Sequence, residues 1–322
     1  MSQSLENARA SHAQAGYRRY DGPKLSGPRH VIARGTSLYP SQLEDLQRPP
    51  AHLYAIGDTI ALNGGLAVIG ARKATPYGIA CTRRFAKIAA EQGVTIISGG
   101  AIGCDGEAHR AAIEGGAPTV VVMGGGCDFV YPARHFDLFQ QVVDKGGIVI
   151  SEREWEFPAL PYCFRERNRI IAALAQATLI VEAGLPSGTF STADDALEIG
   201  RDVLVVPGAI TSKTSAGSNR LLYQGATPVV DDDSFGDVLF NIFGRLKVPS
   251  ITSDSLVFAS VDEDPLLASL QAHPMRIDEM RREIPVPQGE DERTWLLVKL
   301  AQLEQAGFVS RYPDGKYGPA RA

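Results

Sequence analysis

Six short runs of consecutive aliphatic residues leave this chain few folds to adopt. They are LAVIG (66–70), VTIISGG (94–100), PTVVVMGGG (118–126), GIVIS (147–151), ATLIVEA (177–183) and DVLVVPG (202–208). Stretches long enough for helices separate them. A strand with one wet face alternates apolar and polar residues. These runs are apolar on successive positions, so both faces of their sheet must be covered. The pattern predicts an α/β fold: a doubly wound, mostly parallel sheet with helices on each side.

The flanks differ. Residues 1–30 are polar, rich in Gly, Ser, Arg and Pro, and lack apolar periodicity, which predicts a flexible segment. Tyr39-Pro40 and Pro49-Pro50 then punctuate a lead-in that ends at LNGG, residues 62–65. Beyond about Val248, DEDPLLASLQAH, RIDEMRREI and DERTWLLVKLAQLEQAG each suit a short helix, and Asp314-Gly315 suits a hairpin turn. Three helices and a hairpin predict a small C-terminal winged-helix-like domain. The expected division is therefore 1–30, 31–247 and 248–322. Acidic residues outnumber basic ones from Ile251 onward, so protein contact is expected of the last domain more than duplex reading.

With 322 residues and 44% hydrophobic content, the chain can bury a large core. No apolar run is long enough to span a membrane, and the first residues lack the layout of a secretory signal. A cytoplasmic protein with no membrane partner is expected. Cys81, Cys104, Cys127 and Cys163 form no Cys-x-x-Cys pair, which favours reduced buried thiols over a metal site. A net charge of −5 excludes a surface basic throughout, but a local basic patch suffices for nucleic acid.

In open parallel sheets ligands bind beyond the carboxyl ends of the strands. Gly70-Ala71-Arg72-Lys73 follows the first run, Ser98-Gly99-Gly100 ends the second, Gly124-Gly125-Gly126 ends the third, and Ser187-Gly188-Thr189 follows the fifth. Glycine lets backbone N–H groups approach an anion. None of these loops reads G-x-x-x-x-G-K-[ST], and the first is not G-x-G-x-x-G, so nucleoside triphosphatases and dinucleotide-dependent dehydrogenases lose their main support. The segment from Phe164 to Ile171, FRERNRII, places an aromatic ring beside three arginines and an amide. Such a set can stack on bases, neutralise phosphate and direct hydrogen bonds. The same spacing also suits a solvated helix start with Phe164 in the core.

From about Tyr39 to Asp231 the order of motifs is YP, GAR with TPYG, SGG..GCD..AH, a glycine run with D..YP, SE, F..RNRIIA.L, VEA...SGT..TA..A...GR, VPG and G.N.L...GA. In this order the chain resembles the DNA-processing protein A (DprA, also called Smf) family. The resemblance implies an extended Rossmann-like sheet, a homodimer without a cofactor, and a non-enzymatic protein. Its implied role is to bind single-stranded DNA and help load RecA during transformation or recombination. Carried over by motif, the DNA-binding residues are Arg72, Ser98, Gly99, Phe164, Arg167, Asn168, Arg169, Ser187, Gly188 and Thr189. Three positions depart from the family pattern: Ala71 replaces a serine, Arg165 replaces a proline, and Ile102 stands where a basic residue is common. The residues before about Val31 are too few and too polar for the N-terminal helical domain of many members.

Two alternatives use the same loops. LOG-like nucleoside monophosphate phosphoribohydrolases need a glutamate in P-G-G-x-G-T-x-x-E, and the aligned position here is Thr192, whose hydroxyl cannot do that acid–base work. A nucleotide-binding module without turnover would rely on the same backbone groups. Asp105 and His109 stand at i and i+4 and could form a dyad, although an orienting structural pair is the expected role. Glu152, Glu182 and Asp128 are expected to cap helices or brace loops.

Overall fold

The computed structural model describes residues 22–244, 265–283, 292–305, 308–312 and 315–319. The chain divides into two compact units, Met1–Lys247 and Val248–Ala322. In the first, nine strands form one sheet: β1 (Arg29–Ala33), β2 (His52–Gly57), β3 (Leu66–Ile69), β4 (Ile96–Ser98), β5 (Thr119–Val122), β6 (Ile148–Ser151), β7 (Ala177–Ile180), β8 (Asp202–Val205) and β9 (Thr227–Pro228). Their order is β1-β2-β6-β5-β4-β3-β7-β8-β9. Pairing is parallel from β6 to β9, and antiparallel for β1 with β2 and β2 with β6. The sheet is thus Rossmann-like and mostly parallel, and all six expected strands are present.

Successive residues of each strand feed opposite cores. Leu66 and Val68 of β3 pack with Phe85 and Ala89 of α1 (Pro76–Glu91), Ala108 and Ala112 of α2 (Cys104–Glu114) and Phe235 of α7 (Asp232–Phe243). Ala67 and Ile69 face the other way, toward Ile170 and Leu174 of α4 (Pro161–Leu174), Ala193 of α5 (Thr189–Glu198) and Leu221 of α6 (Ala216–Tyr223). A third cluster joins Val121 of β5 and Val149 of β6 to Phe139 and Val142 of α3 (Phe136–Asp144). From β3 the chain steps outward through β4, β5 and β6, then returns to lay β7 on the free side of β3. The order reverses between β3 and β7, which opens a crevice at their carboxyl ends.

The amino-terminal part corrects the sequence reading. Residues 1–21 lie outside the described residues, but 22–30 are built into the fold: Leu25 is buried against Ile56 and Val143, and β1 begins at Arg29. One apolar anchor and an edge strand leave too faint a period to detect in a polar stretch. The lead-in likewise contains β2, which shares the antiparallel edge with β1.

The second unit contains α8 (Pro265–Ala272), α9 (Ile277–Glu283), α10 (Glu292–Gln305) and an antiparallel pair, β10 (Val309–Arg311) with β11 (Tyr317–Pro319). Leu266, Leu270, Met280, Leu296, Leu300 and Val309 form its core. The segment before Pro265 and Asp314 of the expected turn lie outside the described residues. Among the described residues no helix is long and apolar enough to cross a membrane, and no cluster of His, Cys, Asp and Glu could hold a metal ion. All four cysteines are free thiols. Burial pushes Cys104 up to about 12.

Candidate functional site

A cleft of about 590 Å³ opens where the strand order reverses. The loop after β3 supplies Gly70, Ala71, Arg72 and Lys73, and the loop after β7 supplies Gly184 to Thr189. The third wall is α4. Pro161 starts this helix, where a fixed φ and a missing N–H do no harm. Pro161, Phe164, Arg165, Asn168 and Ile171 then fall on one helical stripe and line the cleft. Lys213, between β8 and α6, completes a basic lining whose Arg72, Lys73, Arg165 and Lys213 are exposed. Asp105 is the one carboxylate among the lining residues.

Phe164 stands at the mouth, half-buried. Its ring tilts against Tyr131 at 5.4 Å, and the Arg72 guanidinium lies 5.4 Å from its centroid. Gly124 makes this seat possible, because a methyl group there would come within 2.8 Å of the ring. Two segments nearly a hundred residues apart are therefore brought together as expected. Asn168 donates through Nδ2 to Ser191 Oγ at 2.9 Å and to the Gly188 carbonyl at 3.4 Å, which fixes α4 to the start of α5. Ser187 Oγ accepts from the Thr189 N–H at 3.2 Å and donates to Thr189 Oγ1 at 2.8 Å. The loop is thus held rigid by its own polar groups, with Gly188 exposed at the helix cap.

Three of the expected site residues, Arg167, Ser98 and Arg169, are bonded into the fold. Arg167 borders the cleft but is only 4% exposed: Nη1 donates to the Gly99 carbonyl at 2.8 Å and to the Val122 carbonyl, tying β4 to β5. Burial pulls its pKa down to about 10, opposed by the nearby Asp105 charge. Gly99 is required for this, since a methyl group there would lie 2.5 Å from Arg167 Nη2. Ser98 is buried and donates to the Val68 carbonyl at 2.6 Å, away from the cleft lining. Arg169 is one helix step beyond Asn168 and points off the stripe, where it donates to the Arg48 carbonyl at 2.9 Å and pairs with Glu152. A linear motif records neighbours in sequence, whereas the 100° turn per residue separates them in space.

The sequence reading includes Lys73 only as part of its loop and Arg165 only as part of the Phe164–Ile171 cluster, and it omits Lys213. The helical period from Phe164 could have assigned Arg165, but no motif marks Lys213. Asp105 and His109 do not bond to each other. Asp105 Oδ2 accepts from the Ala101 N–H at 3.2 Å, while His109 Nδ1 meets Thr119 Oγ1 at 2.8 Å. Burial raises the Asp105 pKa and lowers that of His109 to about 3, leaving no basic imidazole. Glu182, 2% exposed, accepts from the Thr75 N–H at 2.8 Å at the start of α1, a capping role.

Residues 30–239, which contain the whole cleft, match the model of the DNA recombination-mediator protein A family. Protein Smf of Escherichia coli K12 is 35% identical over 297 residues, covering 89% of this chain and 76% of that protein. Across the relatives it matches, the chain spans from 50% to 77% of their length. The DNA processing protein A structure from Streptococcus pneumoniae superposes with a TM-score of 0.60 at 32% identity, covering 64% of this chain and 72% of that one. The Helicobacter pylori DNA processing protein A structure, which concerns a single-stranded DNA binding mode, gives a TM-score of 0.62 at 28% identity, covering 68% and 100%.

Proposed function

The chain belongs to the DNA recombination-mediator protein A family, and on that premise we propose that its cleft binds single-stranded DNA. The observation that carries this reading is the half-buried Phe164 ring beside the Arg72 guanidinium, at the mouth of a cleft lined by Lys73, Arg165 and Lys213. A single strand offers unstacked bases and a regular series of phosphates, which an aromatic ring among cations suits. A duplex hides its base faces in the stack. The N-terminus of α5 adds backbone N–H groups and a positive dipole end. Gly188 supports the reading from another side: its φ of −66° is ordinary, and a methyl group there would meet nothing within 4 Å. The fold itself does not need glycine at 188, but a strand approaching that loop closely would.

A LOG-like hydrolase is disfavoured because Thr192, 2% exposed, offers only a hydroxyl at the glutamate's place. Nucleotide binding without turnover remains the competing reading. Fluorescence anisotropy with oligonucleotides of increasing length, mononucleotides and blunt duplex separates the two. Affinity rising with strand length, falling with salt, and weak for duplex is the expected result. Mononucleotides binding as tightly as long strands would overturn it.

The family premise extends the reading to a cytoplasmic homodimer that loads RecA onto the bound strand during DNA uptake or recombination. Residues 248–322 are read as a winged-helix-like module for protein contact. A chain ending at Lys247 should fold and keep most single-strand affinity; loss of either would show that the second unit belongs to the site.

A further inference from the structure

The floor of the cleft holds two buried, opposite charges that converge without pairing. Arg167 and Asp105 are 4% and 7% exposed, and both line the cleft. They converge above Gly99, whose absent side chain leaves Arg167 Nη2 and Asp105 Oδ2 room to approach. Nη1 and Nε of Arg167 have partners in Gly99, Val122 and Asn168, whereas Nη2 donates to no described residue. Asp105 Oδ2 accepts from the backbone N–H of Ala101 at 3.2 Å. A carboxylate has about four acceptor sites, so capacity remains.

A carboxylate in a cleft for a polyanion cannot serve phosphate, because like charges repel. It can serve a base edge. Guanine is the base that presents two adjacent N–H donors, at ring N1 and amino N2, next to a carbonyl acceptor at O6. Two donors suit a carboxylate and the carbonyl suits a guanidinium, with both sets of bonds charge-assisted. Thymine offers the carboxylate one such donor, and adenine and cytosine present a bare ring nitrogen in that place. Resting on the single-strand reading above, we propose that Asp105 and Arg167 make this cleft select guanine among unpaired bases, with Asp105 accepting from N1 and N2 and Arg167 Nη2 donating to O6.

The test uses the full chain and labelled thymine strands of about twenty nucleotides in which every fifth base is guanine, inosine, adenine or cytosine, too sparse for a strand to pair with itself. Lithium salt suppresses guanine quadruplexes. The guanine strand should bind about fivefold or more tightly than the adenine and cytosine strands, with inosine, which lacks the N2 amino group, in between. In Asp105→Asn, where the side-chain carbonyl can still accept from Ala101 but one acceptor becomes a donor, the guanine-to-adenine ratio should fall to near one. Equal binding of all four strands overturns the selectivity and leaves single-strand binding intact. Equal preference for guanine and adenine would mean stacking, and also overturns it. A guanine preference that persists in folded Asp105→Asn removes the assignment to Asp105. Binding of none of the strands defeats the single-strand reading itself. The parent panel decides the matter even if the variant does not fold.

Discussion

Replacing Arg72 and Arg167 with alanine, one at a time, should separate binding from folding within a single cleft. Arg72 is exposed, and its guanidinium lies against the Phe164 ring. Arg72→Ala should change stability by no more than about 0.5 kcal/mol and lower the salt slope of single-strand binding by roughly 0.7, the value for one lost phosphate contact. Arg167 is buried, and its removal strands the Gly99 and Val122 carbonyls and takes from Asp105 the stronger of the two positive charges acting on it, the other being Arg72. An unsatisfied buried polar group costs about 1–3 kcal/mol, and losing one member of a buried charge pair about 3–5 kcal/mol. Because these effects overlap, about 3–5 kcal/mol in total is expected. For a unit of this size each kcal/mol moves the thermal midpoint by about 2–4 °C, so Arg167→Ala should melt roughly 6–20 °C lower. Circular dichroism melts and anisotropy across a salt series, at a temperature where each variant is folded, read both effects. A parental midpoint in Arg167→Ala, or a large drop in Arg72→Ala, would refute the assignment of roles.

Phe164→Ala should weaken binding by about tenfold or more while leaving the salt slope nearly unchanged, since stacking contributes roughly 1–3 kcal/mol per base. Equal affinity in a folded variant would contradict the stacking role. His109 is fully buried, its Nε2 has no partner among the described residues, and burial lowers its pKa from 6.5 to about 3. The unfolded chain therefore takes up a proton below pH 6.5 that the folded chain refuses. This contribution to stability is intact above pH 6.5 and is lost toward pH 3 at about 1.4 kcal/mol per pH unit. Thermal midpoints at pH 5 and 7 should differ less in His109→Asn than in the parent, and equal acid sensitivity would discount the site. Incubation with nucleoside monophosphates should release no free base above a no-protein control. Turnover abolished by a cleft substitution would reverse that.

What was legible in the sequence depended on how far apart the determining residues lie. The parallel core was legible because β3 to β8 are short and buried at nearly every position, and most are followed within a few residues by glycine. The edge strand β1 and its neighbour β2 were not, since both are antiparallel and stand outside the repeated strand–helix alternation that marks the parallel runs. In the site, Arg72, Gly188 and Thr189 were legible because they sit at strand or helix ends that the fold class directs to one edge, and Phe164 and Asn168 because one helical stripe of α4 faces that edge. The burial of Arg167 and Ser98 was hidden, for both bond to carbonyls of distant strands. Arg169 was grouped with Arg165 and Arg167 because three arginines in five residues read alike in one dimension, whereas its side chain bonds to Arg48 and Glu152. Lys213 reaches the cleft only through the β8 crossover.

Photocrosslinking reads directly whether a DNA strand lies in this cleft. An oligonucleotide carrying 5-iododeoxyuridine, irradiated in complex with the full chain and mapped by mass spectrometry, should attach to the peptide bearing Phe164 or the neighbouring Tyr131, whose rings stand 5.4 Å apart at the mouth. Excess unlabelled single strand should abolish the adduct. Crosslinks confined to residues 248–322, or to the face of the sheet unit away from the β3 and β7 carboxyl ends, would contradict the account.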